Sequence, residues 1–118
     1  MPSLSTHVLD LFHGIPAQNV QIDLFFQHED EPKQHIKTVV TNADGRVNEQ
    51  LVTNETWKQG TYELVFHIDQ YFIEKSVQLP TPNFLTTVPV RFNMTNTPSH
   101  YHVPLLVTPW GYQVYRGS

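Results

Sequence analysis

The chain has no cysteine among its 118 residues. That excludes a disulfide framework, a thiolate nucleophile and any zinc site built on sulfur, and it leaves the redox compartment open. Charge is scarce as well. Only 15% of residues are Asp, Glu, Lys or Arg, with 7 Lys plus Arg against 11 Asp plus Glu and a formal net charge of -4. Nucleic acids and anionic membranes are held chiefly by clustered Lys and Arg, so without such a cluster neither is expected as a partner. No apolar run is long enough for a membrane span, and MPSLSTHVLDLF lacks the positive start and apolar stretch of a signal peptide. The ending RGS is not a peroxisomal SKL-type address. These missing signals make a soluble cytoplasmic protein the expectation. Internal repeats and low-complexity segments are also lacking.

What is present points to strands. A hydrophobic content of 39% is enough for one domain, spanning residues 1–118, with a proper core. Nine prolines and five glycines punctuate short stretches rich in Val, Ile, Thr, Phe and Tyr, the pattern of an all-β sandwich or barrel. Strands are predicted over 4–10, 20–27, 35–42, 61–68, 86–94, 101–108 and 112–117. Val20, Ile22, Leu24 and Phe26 alternate with Gln21, Asp23, Phe25 and Gln27, as a half-buried strand requires. Turn signals lie between, in HGIP at 13–16, NADG at 42–45, KQG at 58–60 and PTPN at 80–83. Residues 69–78 read equally as a strand or as a short helix with Asp69 as N-cap. Pro89 and Pro104 fall inside predicted strands and must sit at an edge, at a bulge or with the nitrogen facing away from a neighbour.

Seven histidines are the chain's main chemical resource. His13, His28 and His35 lie in or beside polar loops and read most simply as solvated. His67 reads as a structural histidine in ELVFHID. The stretch SHYHVPLL is distinctive, because its spacing puts His100 and His102 on one strand face with Pro104 and Leu106. Two such nitrogens suit adjacent metal positions, although a third ligand would have to come from elsewhere. In the first strand Ser5, His7 and Leu9 share a face, with Thr6, Val8 and Asp10 on the other. Arg46, directly after the NADG turn, reads by itself as a surface arginine. In the last strand Gln113, Tyr115 and Gly117 face one way, and Gly117 leaves room for something to approach the backbone.

Three blocks together carry more than any of these residues alone: LSTHVLDLFHGIPA near the start, TNADGR in the middle, and HYHVPLLVTPWGYQVYRGS at the end. The chain resembles the 5-hydroxyisourate hydrolases, the transthyretin-related enzymes of urate breakdown, over essentially its whole length. The ending YRGS is the most specific element, since transthyretins share the layout and lack that tail. The resemblance implies a sandwich of two four-stranded sheets with one short helix, which selects the helix for 69–78. It implies a homotetramer, a dimer of dimers around a central channel with sites where subunits meet. It marks His7, Arg46 and His102 as catalytic and Tyr115, Arg116, Gly117 and Ser118 as substrate-binding. The implied reaction is hydrolysis of 5-hydroxyisourate to 2-oxo-4-hydroxy-4-carboxy-5-ureidoimidazoline, with water activated by histidine, charge stabilised by arginine, and neither metal nor cofactor. Three alternatives stand beside it: a transthyretin-like carrier without catalysis, a metal hydrolase on His7, His100 and His102, and a purely structural or adhesive sandwich.

Overall fold

The computed structural model describes residues 2–95 and 99–117. It contains β1 (Ser3–Asp10), β2 (Ile15–Pro16), β3 (Gln21–Gln27), β4 (Gln34–Val40), β5 (Gly60–Phe66), α1 (Ile68–Glu74), β6 (Val88–Met94), β7 (His100–Thr108) and β8 (Gly111–Val114). The strands form two four-stranded sheets, ordered β2-β1-β7-β8 and β4-β3-β5-β6. This is the all-β, transthyretin-like sandwich with one short helix that the sequence blocks imply.

Alternation drives the layering. Along β1 every second residue is buried, so Leu4, Thr6, Val8 and Asp10 face inward while Ser3, Ser5, His7 and Leu9 face outward. Ile22, Leu24 and Phe26 of β3 and Leu64 and Phe66 of β5 meet Val103, Leu105 and Val107 of β7 in one core. Burying each such side chain contributes about 1.5–3 kcal/mol, which makes register the main constraint, since a slip of one residue would turn the whole set outward.

Neighbouring strands pair antiparallel with one exception. β1 and β7 run parallel through eight successive partners, from Ser3 with His100 to Asp10 with Val107. The chain's first and penultimate long strands are thus side by side, and residues nearly one hundred positions apart in sequence become neighbours.

Three local expectations need correction. HGIP is more than a turn, because Ile15 and Pro16 pair with Asp10 and Leu9 and supply the fourth strand of the first sheet. The helix begins at Ile68 after His67, so Asp69 lies in its first turn and is not its N-cap. The β5 ladder ends with the His67 amide donating to the Gln21 carbonyl at 3.0 Å, and the chain turns at once into the helix.

The third correction concerns the tail, which is a strand only as far as Val114. The Gly117 amide donates to the His102 carbonyl at 2.7 Å, in the same register that pairs Leu105 with Val114 and Leu106 with Gln113. Hydrogen-bonded pairs alternate along an antiparallel ladder, so the intervening pair that should be bonded is Pro104 with Tyr115. Proline has no N–H to donate, and the ladder lapses there before one bridge closes it again at Gly117. Pro104 therefore sits in a central strand with its nitrogen toward the gap. Pro89, in contrast, lies on edge strand β6.

The NADG turn is fastened to β1. Val8 N–H donates to the Gly45 carbonyl at 2.8 Å and Ala17 N–H to the Val8 carbonyl at 2.9 Å. Gly45 has φ +75°, and a Cβ there would lie 2.4 Å from the Val8 carbonyl oxygen. A left-handed backbone costs a non-glycine residue about 1–3 kcal/mol before any clash. Gly45→Ala should therefore lower unfolding free energy by about 2 kcal/mol or more in a urea titration, and an unchanged midpoint would contradict this account of the turn.

Candidate active site

The outward face of β1 and the matching face of β7 carry the polar side chains that the sequence singled out. Register places Ser5 opposite His102 and His7 opposite Pro104, so His7 and His102 lie on one face, about one alternate residue apart along the ladder. Arg46 reaches this face from the NADG turn. It lines a cavity of about 280 Å³ together with Ser3, Ser5, Asn48, Gln50 and His100.

Asn42 builds the turn that presents Arg46. Its side-chain oxygen accepts from the Asp44 amide at 2.9 Å and the Arg46 amide at 3.1 Å, and its carbonyl accepts from Gly45 at 2.9 Å. Asn favours this geometry because its short side chain imitates a backbone turn. The same turn orients His7, whose Nε2 lies 2.9 Å from the Asp44 carbonyl oxygen. A carbonyl only accepts, so Nε2 carries the proton and Nδ1 of the neutral ring keeps its lone pair.

His102 is partly buried, with Nδ1 2.7 Å from Ser5 Oγ. Its pKa is held below the usual histidine value by burial first, then by the positive charge of Arg46 and by the rings of His100 and His7. Loss of hydration and nearby positive charge both penalise the imidazolium, so the resting ring is neutral. His100 stacks beside it, ring centroids 6.2 Å apart and planes within 13°.

The tail contributes unevenly. Gly117 lies against His102, and a Cβ at 117 would come within 2.7 Å of the ring Cδ2. Arg116 turns the other way, its guanidinium over the Tyr101 ring at 4.3 Å. Arg116 and Tyr115 line a separate cavity beside Val90 and Phe92 at the open edge between the sheets. Ser118 lies outside the described residues.

His13, His35 and His67 have structural partners, whereas His28 is exposed. His13 Nδ1 is 2.6 Å from the buried Asp10 carboxylate, to which Tyr71 also donates at 2.7 Å. Burial opposes ionisation of Asp10, but the His13 and Tyr71 hydrogen bonds outweigh it and keep the carboxyl below its ordinary range. His67 and His35 share Asp23, at 2.7 and 3.2 Å, and Thr38 donates to the same carboxylate. Asp23 is pulled down to about 2, its hydrogen bonds from Thr38, His67 and His35 overcoming the opposing effect of burial. Among the described residues no group of three His, Asp or Glu side chains is arranged to hold a metal ion. The rings of His7, His100 and His102 turn to Asp44, Ser3 and Ser5 and do not converge on a common point. Ser3, Ser5, Asn42 and Asp44 escaped the sequence reading as site residues. The signal for Ser5 was its place two residues before His7 in an alternating strand.

Known proteins resemble the chain over nearly its whole length. The profile described as "HIUase/Transthyretin family" matches residues 4–117. A protein of Rhizobium meliloti named 5-hydroxyisourate hydrolase 2 is 50% identical over 115 residues, covering 98% of this chain and 95% of its own. Among solved structures, (S)-allantoin synthase superposes with a TM-score of 0.92 at 38% identity, covering 99% of this chain, which spans only 44% of that longer protein. Sea bream transthyretin in complex with thyroxine superposes with a TM-score of 0.87 at 25% identity, covering 98% of this chain and 94% of its own.

The contact between Gly117 and His102 is open to a direct check. Alanine at 117 must push the imidazole aside, and no left-handed backbone is involved. Gly117→Ala should shift the His102 ring resonances in NMR while changing unfolding free energy by less than about 1 kcal/mol, the ordinary range for a substitution away from the core. Unmoved His102 resonances would mean that the tail does not set this ring's position.

Proposed function

The chain belongs to the HIUase/Transthyretin family, and on that premise we propose that it is a 5-hydroxyisourate hydrolase, opening its substrate to 2-oxo-4-hydroxy-4-carboxy-5-ureidoimidazoline in urate breakdown. The observation that carries this reading is the parallel pairing of β1 with β7, which sets His7 and His102 on one face beside Arg46.

The substrate is a small, planar, oxygen-rich ring whose N1–C6 amide-type bond is attacked by water. Water is a poor nucleophile near neutral pH, and a positioned base typically supplies about 10²- to 10⁴-fold. His102 suits that role. Its lowered pKa leaves it unprotonated, and with Nδ1 on Ser5 the other ring nitrogen remains for water. Arg46 keeps its charge at any working pH and meets the oxygen that becomes anionic in the tetrahedral intermediate. His7, its Nε2–H held by the Asp44 carbonyl, offers Nδ1 to the leaving nitrogen and in its protonated form gives it a proton. The same reading assigns Tyr115, Arg116, Gly117 and Ser118 to substrate binding: Gly117 lies against His102, whereas Tyr115 and Arg116 line a separate cavity within one chain and would meet substrate only at a site completed by another subunit. No metal or cofactor enters this route.

A homotetramer with sites facing a central channel belongs to the same reading. Support comes from the edge strands β6 and β8, each unpaired on one side within the described residues, since exposed strand edges favour pairing with another chain. No helix among the described residues is long and apolar enough to cross a membrane. A cytoplasmic location is proposed with the function.

A carrier of the transthyretin type needs no neutral histidine beside an arginine, and this is where the two readings part. 5-Hydroxyisourate generated freshly by urate oxidase should decay faster with the protein, as followed by its ultraviolet signal. His102→Asn should slow that decay by about 100-fold or more while the fold survives. No acceleration by the wild-type protein would leave the carrier reading in possession.

The pH dependence has a definite sign. The reaction needs His102 neutral, and its pKa lies below the ordinary value of 6.5. The acid limb of kcat/KM should therefore be centred below pH 6.5. An acid limb centred above pH 6.5 would remove His102 from the role of base.

A further inference from the structure

Ser3 and Ser5 of β1 lie in register with His100 and His102 of β7, all four on the outward face. Ser5 Oγ is 2.7 Å from His102 Nδ1 and 3.2 Å from His100 Nε2, and Ser3 Oγ is 2.5 Å from His100 Nδ1. Both nitrogens of His100 are engaged, one toward the site through Ser5 and the other toward Ser3. His102 is part-buried, whereas His100 is exposed. The four side chains form one line from the reacting nitrogen to solvent, and each group can both donate and accept.

The chemistry leaves a proton to move along such a line. Opening an amide with water gives a carboxylic acid and an N–H, and near neutral pH the acid ionises, so each turnover releases one proton. The proton taken from water resides on His102, where burial, Arg46, His7 and His100 all oppose a positive charge. It cannot stay there if the ring is to serve again.

We propose that Ser5, His100 and Ser3 form a proton exit that returns His102 to its neutral state after each turnover. As His102 takes the water proton on Nε2, its Nδ1–H passes to Ser5 Oγ. The Ser5 hydroxyl proton passes to His100 Nε2, and the His100 Nδ1 proton leaves by way of Ser3 or bulk water. This leaves His102 neutral with its proton on Nε2; once the product departs, that proton exchanges into water in the open site while the same line returns one to Nδ1, which restores the resting tautomer. His7 gives its proton to the leaving nitrogen and regains one from solvent, so the single net proton is the one the carboxylic acid sheds. Ser5 is a positioning residue in this scheme: in the resting enzyme it accepts from His102 Nδ1–H and thereby keeps the lone pair on Nε2.

The proposal rests on the hydrolase reading, and two readouts separate them. Ser5→Ala should lower kcat by about tenfold or more with KM unchanged within about twofold, Ser5→Thr should keep most of the activity, and imidazole added to the buffer should restore much of the alanine variant's loss. Independently of turnover, 15N NMR should find neutral His102 carrying its proton on Nδ1 in the wild-type protein and on Nε2 in Ser5→Ala. A loss shared by Ser5→Thr and untouched by imidazole, or a kcat for Ser5→Ala within about twofold of wild type, would overturn the exit. So would a His102 tautomer indifferent to Ser5. A wild-type protein inactive on 5-hydroxyisourate would defeat the hydrolase reading, and the tautomer comparison would still decide whether Ser5 commands His102.

Discussion

The parallel ladder between β1 and β7 is the constraint on which the rest depends. It joins Ser3–Asp10 to His100–Val107 without a break, and among the described residues it is the sole parallel contact between neighbouring strands. Parallel pairing needs a long crossover, and here the crossover is most of the chain: β3 to β6 and the helix all lie between the two partners. The core fixes its register. Leu4 and Val8 can be buried only if Tyr101, Val103 and Leu105 are buried beside them, and that choice turns Ser5, His7, His100 and His102 outward together. Core burial thus sets the geometry of a polar site that contributes little to the core.

A second consequence concerns the tail. Pro104 removes one bond from the β7–β8 ladder, and Gly117 restores contact two pairs further on. The ladder lapses at Tyr115 and Arg116, and the glycine lets the backbone come down against the His102 ring. With a side chain at 117, the imidazole would be displaced. Proline and glycine act here as complementary local exceptions to sheet geometry, on either side of a ring whose position matters.

The histidines show how environment divides one residue type among several tasks. His13 is bound to a fully buried carboxylate that also holds Tyr71, and His35 and His67 flank Asp23 where β3, β4 and the end of β5 meet. In each case a carboxylate is the partner, which favours a fixed, charge-assisted contact. Among the described residues, His7, His100 and His102 have no carboxylate partner. Their partners are a backbone carbonyl and two serine hydroxyls, and an arginine stands nearby. For His102, burial and the nearby charge of Arg46 keep the ring neutral and able to exchange its proton, which is the condition a base requires.

By itself the sequence determined the fold class, most strand positions and the chemical residue types. Alternation in LSTHVLD and VQIDLFF shows which side chains share a face, because the period of two is a property of the extended backbone. It also separated Ser5 and His7 from Val8 and Asp10. The blocks around His7, Arg46 and His102 were legible, through resemblance, as one constellation. Other features depended on partners far away in sequence. Ile15 and Pro16 read as a turn because a two-residue strand exists only through the neighbour that pairs with it. The break after Val114 follows from a proline ten residues earlier in a different strand, and Ser5 became a site residue only when register set it opposite His102. The tautomer of His7 depends on the Asp44 carbonyl, delivered by a turn some forty residues on. Local periodicity is written in neighbouring residues, whereas register, proton position and pKa arise from atoms that meet only when the chain has closed on itself.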